Sequence, residues 1–252
     1  MVAAVSAPTL LTEKCERMSV MSALPRPEDK AQAVRRMFDR IAGRYDRVNR
    51  LMTLNADQRW RRELVVRMAV GADDTVLDLA CGTGDFGRMC QARGARLVGL
   101  DFSRGMLEIA RKRSVPAVAL VQGDALHLPI ASGAVTVAVS GFALRNFVAI
   151  QPVLAELGRV LAPGGRLGLL EVDRPRNGLV RTGHGVYFNR IVPFAGGLVS
   201  GDREAYRYLP ASAAYLPSQD ELVEMLKGAG FRRIRKRSPM FGAIQSIDAV
   251  RI

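Results

Sequence analysis

The stretch Thr75-Val76-Leu77-Asp78-Leu79-Ala80-Cys81-Gly82-Thr83-Gly84-Asp85-Phe86 constrains the fold of this chain more than any other. Its apolar run ends beside an acidic residue, turns on two closely spaced glycines and opens into an amphipathic segment. That order reads as strand, ligand loop and helix start. Gly82 and Gly84 allow a sharp turn and let a ligand lie against the backbone with no Cβ in the way. Ligands of open α/β sheets bind here, outside the carboxyl ends of the central strands.

The residues that follow keep the alternation of an α/β protein. Strands are expected at 75–79, 95–100, 117–121, 134–141 and 166–172, separated by helices at 86–93, 103–111 and 150–161. Ser103 caps the second of these helices, and Pro163-Gly164-Gly165 stops the third. The strands are apolar along their whole length, as in a parallel sheet covered on both faces. Ser218 opens a further helix to Lys227, with Gln219 to Glu221 in its first turn. Phe231–Ser238 and Ala243–Val250 then read as an antiparallel final pair. The expectation is a Rossmann-like, doubly wound sheet of about seven strands, mostly parallel.

The loop also satisfies Gly-x-Gly-x-x-Gly through Gly82, Gly84 and Gly87, which taken alone points to a dinucleotide. Two carboxylates argue otherwise. A pyrophosphate would sit on the next helix N-terminus, where Asp85 already places negative charge, and Asp78 adds a second carboxylate at the strand end. A loop flanked by carboxylates suits a cationic ligand. S-adenosylmethionine, with its ammonium and sulfonium, fits better than a dinucleotide. Helix capping by Asp85 is the bland alternative, and both roles can hold together. Asp101 ends the second strand at the spacing that places a carboxylate on ribose hydroxyls. Asp124 ends the third and can accept from an adenine amino group, while Ala125 leaves room for the ring.

Bulk properties narrow the class. With 252 residues, 48% of them hydrophobic, the chain can bury a sizeable core. No apolar run approaches the roughly 18 residues of a spanning helix. Cys15, Cys81 and Cys90 form no CxxC and no even framework, which favours a reducing compartment and a cytoplasmic protein. Two histidines without clustered ligands make a metal site unexpected. The net charge of +13 is uneven. Residues 1–70 carry 14 basic against 8 acidic side chains, 71–172 carry 10 against 9, and 173–252 carry 13 against 7. The basic excess therefore sits on the flanks. It fits peripheral contact with an anionic membrane as well as it fits a solvated surface. Nucleic acid is not expected, because aromatic platforms and an Asn/Asp-Pro-Pro-Tyr motif are missing.

The flanks frame the ligand loop. Residues 1–28 lack periodicity and read as a disordered tail without a secretion signal. Residues 29–52 read as a helix through Val34, Met37, Phe38, Ile41 and Tyr45, and a second runs from Asp57, its expected N-cap, to Met68. Together, residues 29–70 make a helical lid on a single domain spanning 29–252. Tyr45 is a candidate for the substrate side of that lid. Residues 173–216 break the alternation with an apolar insertion through Val186, Tyr187, Phe188, Ile191 and Phe194. The insertion is placed to line a hydrophobic substrate cavity, with Tyr187 among its contacts. Strand four ends in Gly141-Phe142-Ala143-Leu144-Arg145-Asn146, where the transferred methyl group should emerge. Arg145 there can stabilise a developing oxyanion or pair with a structural carboxylate.

The chain resembles the C-methyltransferases of ubiquinone and menaquinone biosynthesis over residues 30–252. The likeness rests on Phe38-Asp39-Arg40-Ile41-Ala42-Gly43-Arg44-Tyr45-Asp46-Arg47-Val48-Asn49 and Arg59-Trp60, on the glycine loop, on Phe142-Ala143-Leu144-Arg145-Asn146 and on Ala205-Tyr206-Arg207-Tyr208-Leu209-Pro210-Ala211-Ser212. The resemblance implies S-adenosylmethionine as donor, with Thr83, Asp101, Asp124 and Ala125 at donor-binding positions; Asp78, Gly82 and Gly84 of the loop and Gly141 at the end of strand four are the further donor-site candidates. It implies that Arg145 and Asn146 act on the hydroxyl of a quinol-like, hydrophobic acceptor, most simply demethylmenaquinol. A secondary-metabolite C- or O-methyltransferase and a recruited relative without methyl transfer are the alternatives, and a homodimer is left open. Three departures bear on the acceptor. Gly141 stands where several relatives carry Ser, Ala143 replaces a glycine, and Glu171-Val172-Asp173 replaces the usual Glu-Phe-Ser.

Overall fold

The computed structural model describes residues 24–113, 119–173, 175 and 202–252. The tail expected at 1–28 lies outside these up to residue 23. So do most of the apolar insertion and its Tyr187. Helix α1 spans Lys30–Thr53 and α2 spans Ala56–Arg67. The ligand-loop unit follows as β1 (Thr75–Leu79), α3 (Asp85–Gln91) and β2 (Arg96–Asp101). Next come α4 (Arg104–Arg113), β3 (Ala119–Gln122), β4 (Val135–Gly141), α5 (Ile150–Val160) and β5 (Leu161–Val172). The chain closes with α6 (Arg203–Ala211), α7 (Gln219–Gly228), β6 (Phe231–Arg237) and β7 (Ile244–Arg251).

The seven strands form one sheet in the order β3-β2-β1-β4-β5-β7-β6. Strands β1 to β5 pair in parallel, and β7 inserts antiparallel between β5 and β6. Alternate strand residues feed two cores. Leu77 and Leu79 pack with Leu154, Leu157, Leu222 and Phe231 on one face. Val76, Val137 and Val139 pack with Trp60, Leu64, Phe86 and Cys90 on the other. Burial on both faces explains the continuous apolar strands. A third cluster joins α1 to α6 through Val34, Met37, Ile41, Val48, Ala205 and Tyr208.

Three local expectations change. Asp57 is not the N-cap of α2; Asn55 holds that place with a left-handed backbone. Asp57 instead lies fully buried in the first turn and accepts from Thr53 Oγ1 at 2.9 Å and Gln58 Nε2 at 2.8 Å. Strand β5 begins at Leu161 rather than at 166, because Leu161 pairs with Val135 ahead of a register shift around the Pro-Gly-Gly kink. The third strand runs on to Gln122, and its expected start at 117–118 lies outside the described residues. The capping signals hold. Ser103 Oγ accepts from Met106 N–H at 3.2 Å, and Ser218 with Glu221 forms a reciprocal capping box.

Candidate active site

The parallel order brings the carboxyl ends of β3, β2, β1 and β4 to one edge, in that sequence. A cavity of about 890 Å³, its open mouth included, lies along this edge. Leu79, Ala80 and Gly82 line it from β1, Asp101 from β2, Asp124 and Ala125 from beyond β3, and Gly141, Phe142, Ala143 and Asn146 from β4. Helix α1 covers it with Val34, Arg35, Phe38 and Tyr45. Two strand ends carry strained backbone, with positive φ at Ala80 (53°) and Phe142 (60°). Strain in non-glycine residues persists only where surrounding structure over-determines it, and it gathers at ligand sites.

Asp101 shows why a carboxylate stands at the end of β2. Its Oδ2 accepts from Gly82 N–H at 2.7 Å and its Oδ1 from Ser103 N–H at 2.8 Å. It thereby holds the glycine loop and starts α4 while facing the cavity. An ionised carboxylate has about four acceptor positions, so two remain for ribose hydroxyls. Gly82 has φ +54°, and a Cβ there would meet no protein atom within 4 Å. The loop thus presents bare backbone to open space, which suits a nucleoside lying against it. Asp124 is exposed and accepts from Leu126 N–H at 2.9 Å, and Ala125 is buried beside it.

Burial pushes the Asp101 carboxyl up to about 6, against the hydrogen bonds from Ser103 and Gly82 that favour its charged form. A protonated Asp101 loses acceptor capacity toward ribose. Donor affinity is therefore expected to be level above pH 7 and to fall by roughly tenfold per unit below about pH 6. Calorimetric titration with S-adenosylhomocysteine between pH 5 and 8 checks this, and a flat profile would remove Asp101 from the site.

Other candidate residues sit behind the cavity wall. Asp78 is buried, accepts from Gly87 N–H at 2.8 Å and braces α3 against β1 from beneath the loop. Burial also raises its carboxyl, to about 7. Thr83 donates to Asp46 Oδ1 at 2.7 Å, and Arg113 pairs with the other oxygen of Asp46. Asp39 accepts from Ser103 Oγ at 2.6 Å and from Gly105 N–H at 2.9 Å. These bonds fasten α1 across the loop. Neither Asp39 nor Asp46 carries a local signal for these roles, since their partners lie 37 to 67 residues further along the chain. Gly84, at φ +86°, is the N-cap of α3.

Asp85 does not present to the ligand loop the free negative charge that its place in the sequence suggests. Asp85 is not part of the cavity lining. It pairs with Arg88, lies 3.6 Å from Arg50 and accepts from Gln58 Nε2 at 2.7 Å. Arginines from α1 and α3 thus balance its charge, so Asp85 by itself does not exclude an anionic ligand. The ligand choice rests on the cavity and on Asp101 and Asp124.

At the β4 end, Asn146 faces the cavity. Its Oδ1 accepts from Tyr208 O–H at 3.2 Å and its Nδ2 donates to the Phe142 carbonyl at 3.3 Å. Arg145 turns away and forms a buried ion pair with Glu171, the pairing its structural alternative foresaw. Burial pushes the phenols of Tyr45 and Tyr208 above their usual range; in both Arg145 pulls the other way, and on Tyr208 its partner Glu171 opposes that pull.

A family model described as the ubiE/COQ5 methyltransferase family matches residues 27–251. The chain belongs to this family. It is a methyltransferase. A demethylmenaquinone methyltransferase of Thermus thermophilus is 46% identical over 200 residues, covering 77% of this chain and 91% of that protein. One from Deinococcus radiodurans is 40% identical over 220 residues, covering 85% and 91%. A solved structure from Thermotoga maritima, described as a SAM-dependent methyltransferase, superposes with a TM-score of 0.60 at 20% identity, covering 87% of this chain and all of the other. That likeness speaks to the fold alone.

Proposed function

We propose that this ubiE/COQ5-family methyltransferase uses S-adenosylmethionine to C-methylate a prenylated quinol, converting demethylmenaquinol to menaquinol. The observation that carries the reading is one cavity with two characters. Gly82, Asp101 and Asp124 give it polar lining, and Val34, Phe38, Met106, Phe142 and Phe147 give it apolar lining. Such a cavity suits a nucleoside donor together with a flat hydrophobic ring. Relatives named demethylmenaquinone methyltransferase point to the same acceptor.

Bound at this edge, the donor supplies an electrophilic methyl group. The protein's part is placement and charge. Asp101 orients the ribose, and Asp124 with Ala125 frames the adenine. Asn146, steadied by Tyr208, and Tyr45 face the acceptor oxygen. Arg145 acts from behind as a fixed positive charge that favours a phenolate over a phenol. With the donor held there, a C–C bond would form at the acceptor carbon as the S–CH3 bond breaks and leaves its electron pair on sulfur, and the ring proton would pass to solvent to restore aromaticity.

Incubation with isotopically methyl-labelled donor and reduced demethylmenaquinone tests the reading. The expected product carries the label on a ring carbon by fragmentation mass spectrometry. Label on oxygen, or no labelled product, would sink it.

A further inference from the structure

Arg61 is a buried cation whose bonding is incomplete. It lies on α2 directly after Trp60 and is 7% exposed. Its guanidinium stacks over the Phe86 ring at 4.7 Å and the Phe142 ring at 5.3 Å. The nearest acidic group, Asp57 Oδ2, is 3.8 Å from Nε, beyond hydrogen-bond reach. Its Nε is buried with no hydrogen-bond partner. Asp57 meanwhile takes its hydrogen bonds from Thr53 and Gln58. An unfilled, desolvated guanidinium donor is costly, and an anion relieves that cost.

The guanidinium lies behind the cavity wall and meets it at one residue. A Cβ on Gly141 would lie 2.6 Å from Arg61 Nη1 and 2.7 Å from Phe86 Cε2. Gly141 lines the cavity and ends β4. The missing side chain at 141 is thus what lets the Arg61 head pack directly behind the cavity wall. Sheet order then fixes which end of a ligand meets it. Asp124 and Asp101 stand beyond β3 and β2, and the Gly82 loop follows β1. A nucleoside held at the first two directs its remaining substituent along the edge toward β4, where Gly141 and Arg61 wait.

We propose that Arg61 is the receptor for the carboxylate at the amino-acid end of the donor. The proposal rests on the donor reading given above. What sets Arg61 apart is its contact with Gly141: Arg145 is bonded to Glu171 and Arg50 lies 3.6 Å from Asp85, each with an Nε that is likewise buried without a partner, and Arg35 of the cavity lining stacks over Phe102, 4.0 Å from Asp39. A planar guanidinium held between two phenyl rings presents its remaining N–H groups in a fixed fork, the geometry that suits a carboxylate.

Calorimetry with two nucleosides tests it. S-adenosylhomocysteine carries the carboxylate, and 5′-methylthioadenosine lacks the amino-acid end. Arg61→Gln is expected to weaken S-adenosylhomocysteine by roughly ten- to hundredfold, the size of a hydrogen bond to a charged group, with methylthioadenosine affinity unchanged within about twofold on the same scale. Arg61→Lys keeps the charge without the fork. It should lose part of the selective effect, and it decides the matter if the Gln variant does not fold. Equal weakening of both nucleosides would make Arg61 a packing residue and overturn the proposal. So would unchanged S-adenosylhomocysteine affinity. Wild-type protein that binds neither nucleoside would instead overturn the donor reading on which the proposal stands.

Discussion

Methyl transfer to a demethylmenaquinone is expected only after the acceptor has been reduced. The donor's methyl carbon is an electrophile, so the ring carbon it joins must be a nucleophile. An oxidised quinone ring is electron-poor. A hydroquinone is electron-rich, more so when a hydroxyl proton leaves and charge reaches the ring carbon. Arg145, buried next to Asn146 in the chain, contributes positive charge that favours that form, against the opposing charge of its partner Glu171. Anaerobic assays with and without dithionite separate the two cases. Turnover confined to the reduced acceptor is the expected result, and equal turnover in both would defeat the phenolate mechanism.

Loss of Arg145 should produce two large effects that can be pulled apart. Glu171 is fully buried and paired with it. Arg145→Leu leaves that carboxylate without its cation, which typically costs about 3–5 kcal/mol. For a chain of this size the corresponding fall in Tm is roughly 6–20 °C. Activity should fall as well, by about 10²–10³-fold in kcat if the charge acts as oxyanion-type stabilisation. The double variant Arg145→Leu/Glu171→Gln removes the orphaned charge. It is expected to regain most of the stability while kcat stays low. Thermal melts and kcat measured on the same preparations decide this. Recovery of both would assign Arg145 to the fold alone.

The candidate site was legible to the extent that its chemistry is local. Gly82, Gly84 and Asp78 announce themselves within a few residues, because a strand, a tight turn and a helix start leave a continuous pattern. Asp101 and Asp124 follow from strand ends in an alternating α/β pattern, and the structure places both on the cavity. Ser218 with Glu221 was equally readable, since a capping box closes over three residues.

What the chain alone did not reveal depends on partners distant in sequence. Asp85 reads as free negative charge until α1 and α2 bring Arg50 and Gln58 against it. Arg145 reads as a catalytic cation, with a structural one as the alternative, until β5 sets Glu171 beside it. Arg61 carries no motif signal of its own. Its meaning comes from Gly141, 80 residues away, whose absent Cβ leaves space that only packing of α2 on the sheet can fill with a guanidinium. The insertion of β7 between β5 and β6 belongs to the same class, because strand neighbours are chosen by non-local hydrogen bonding. Sequence by itself determined the fold class, the glycine loop and the acidic strand ends, for these are written in short-range periodicity and turn chemistry. Tertiary structure decided which charges are neutralised and which face the cavity, because burial and pairing are set by elements that meet only when the sheet is assembled.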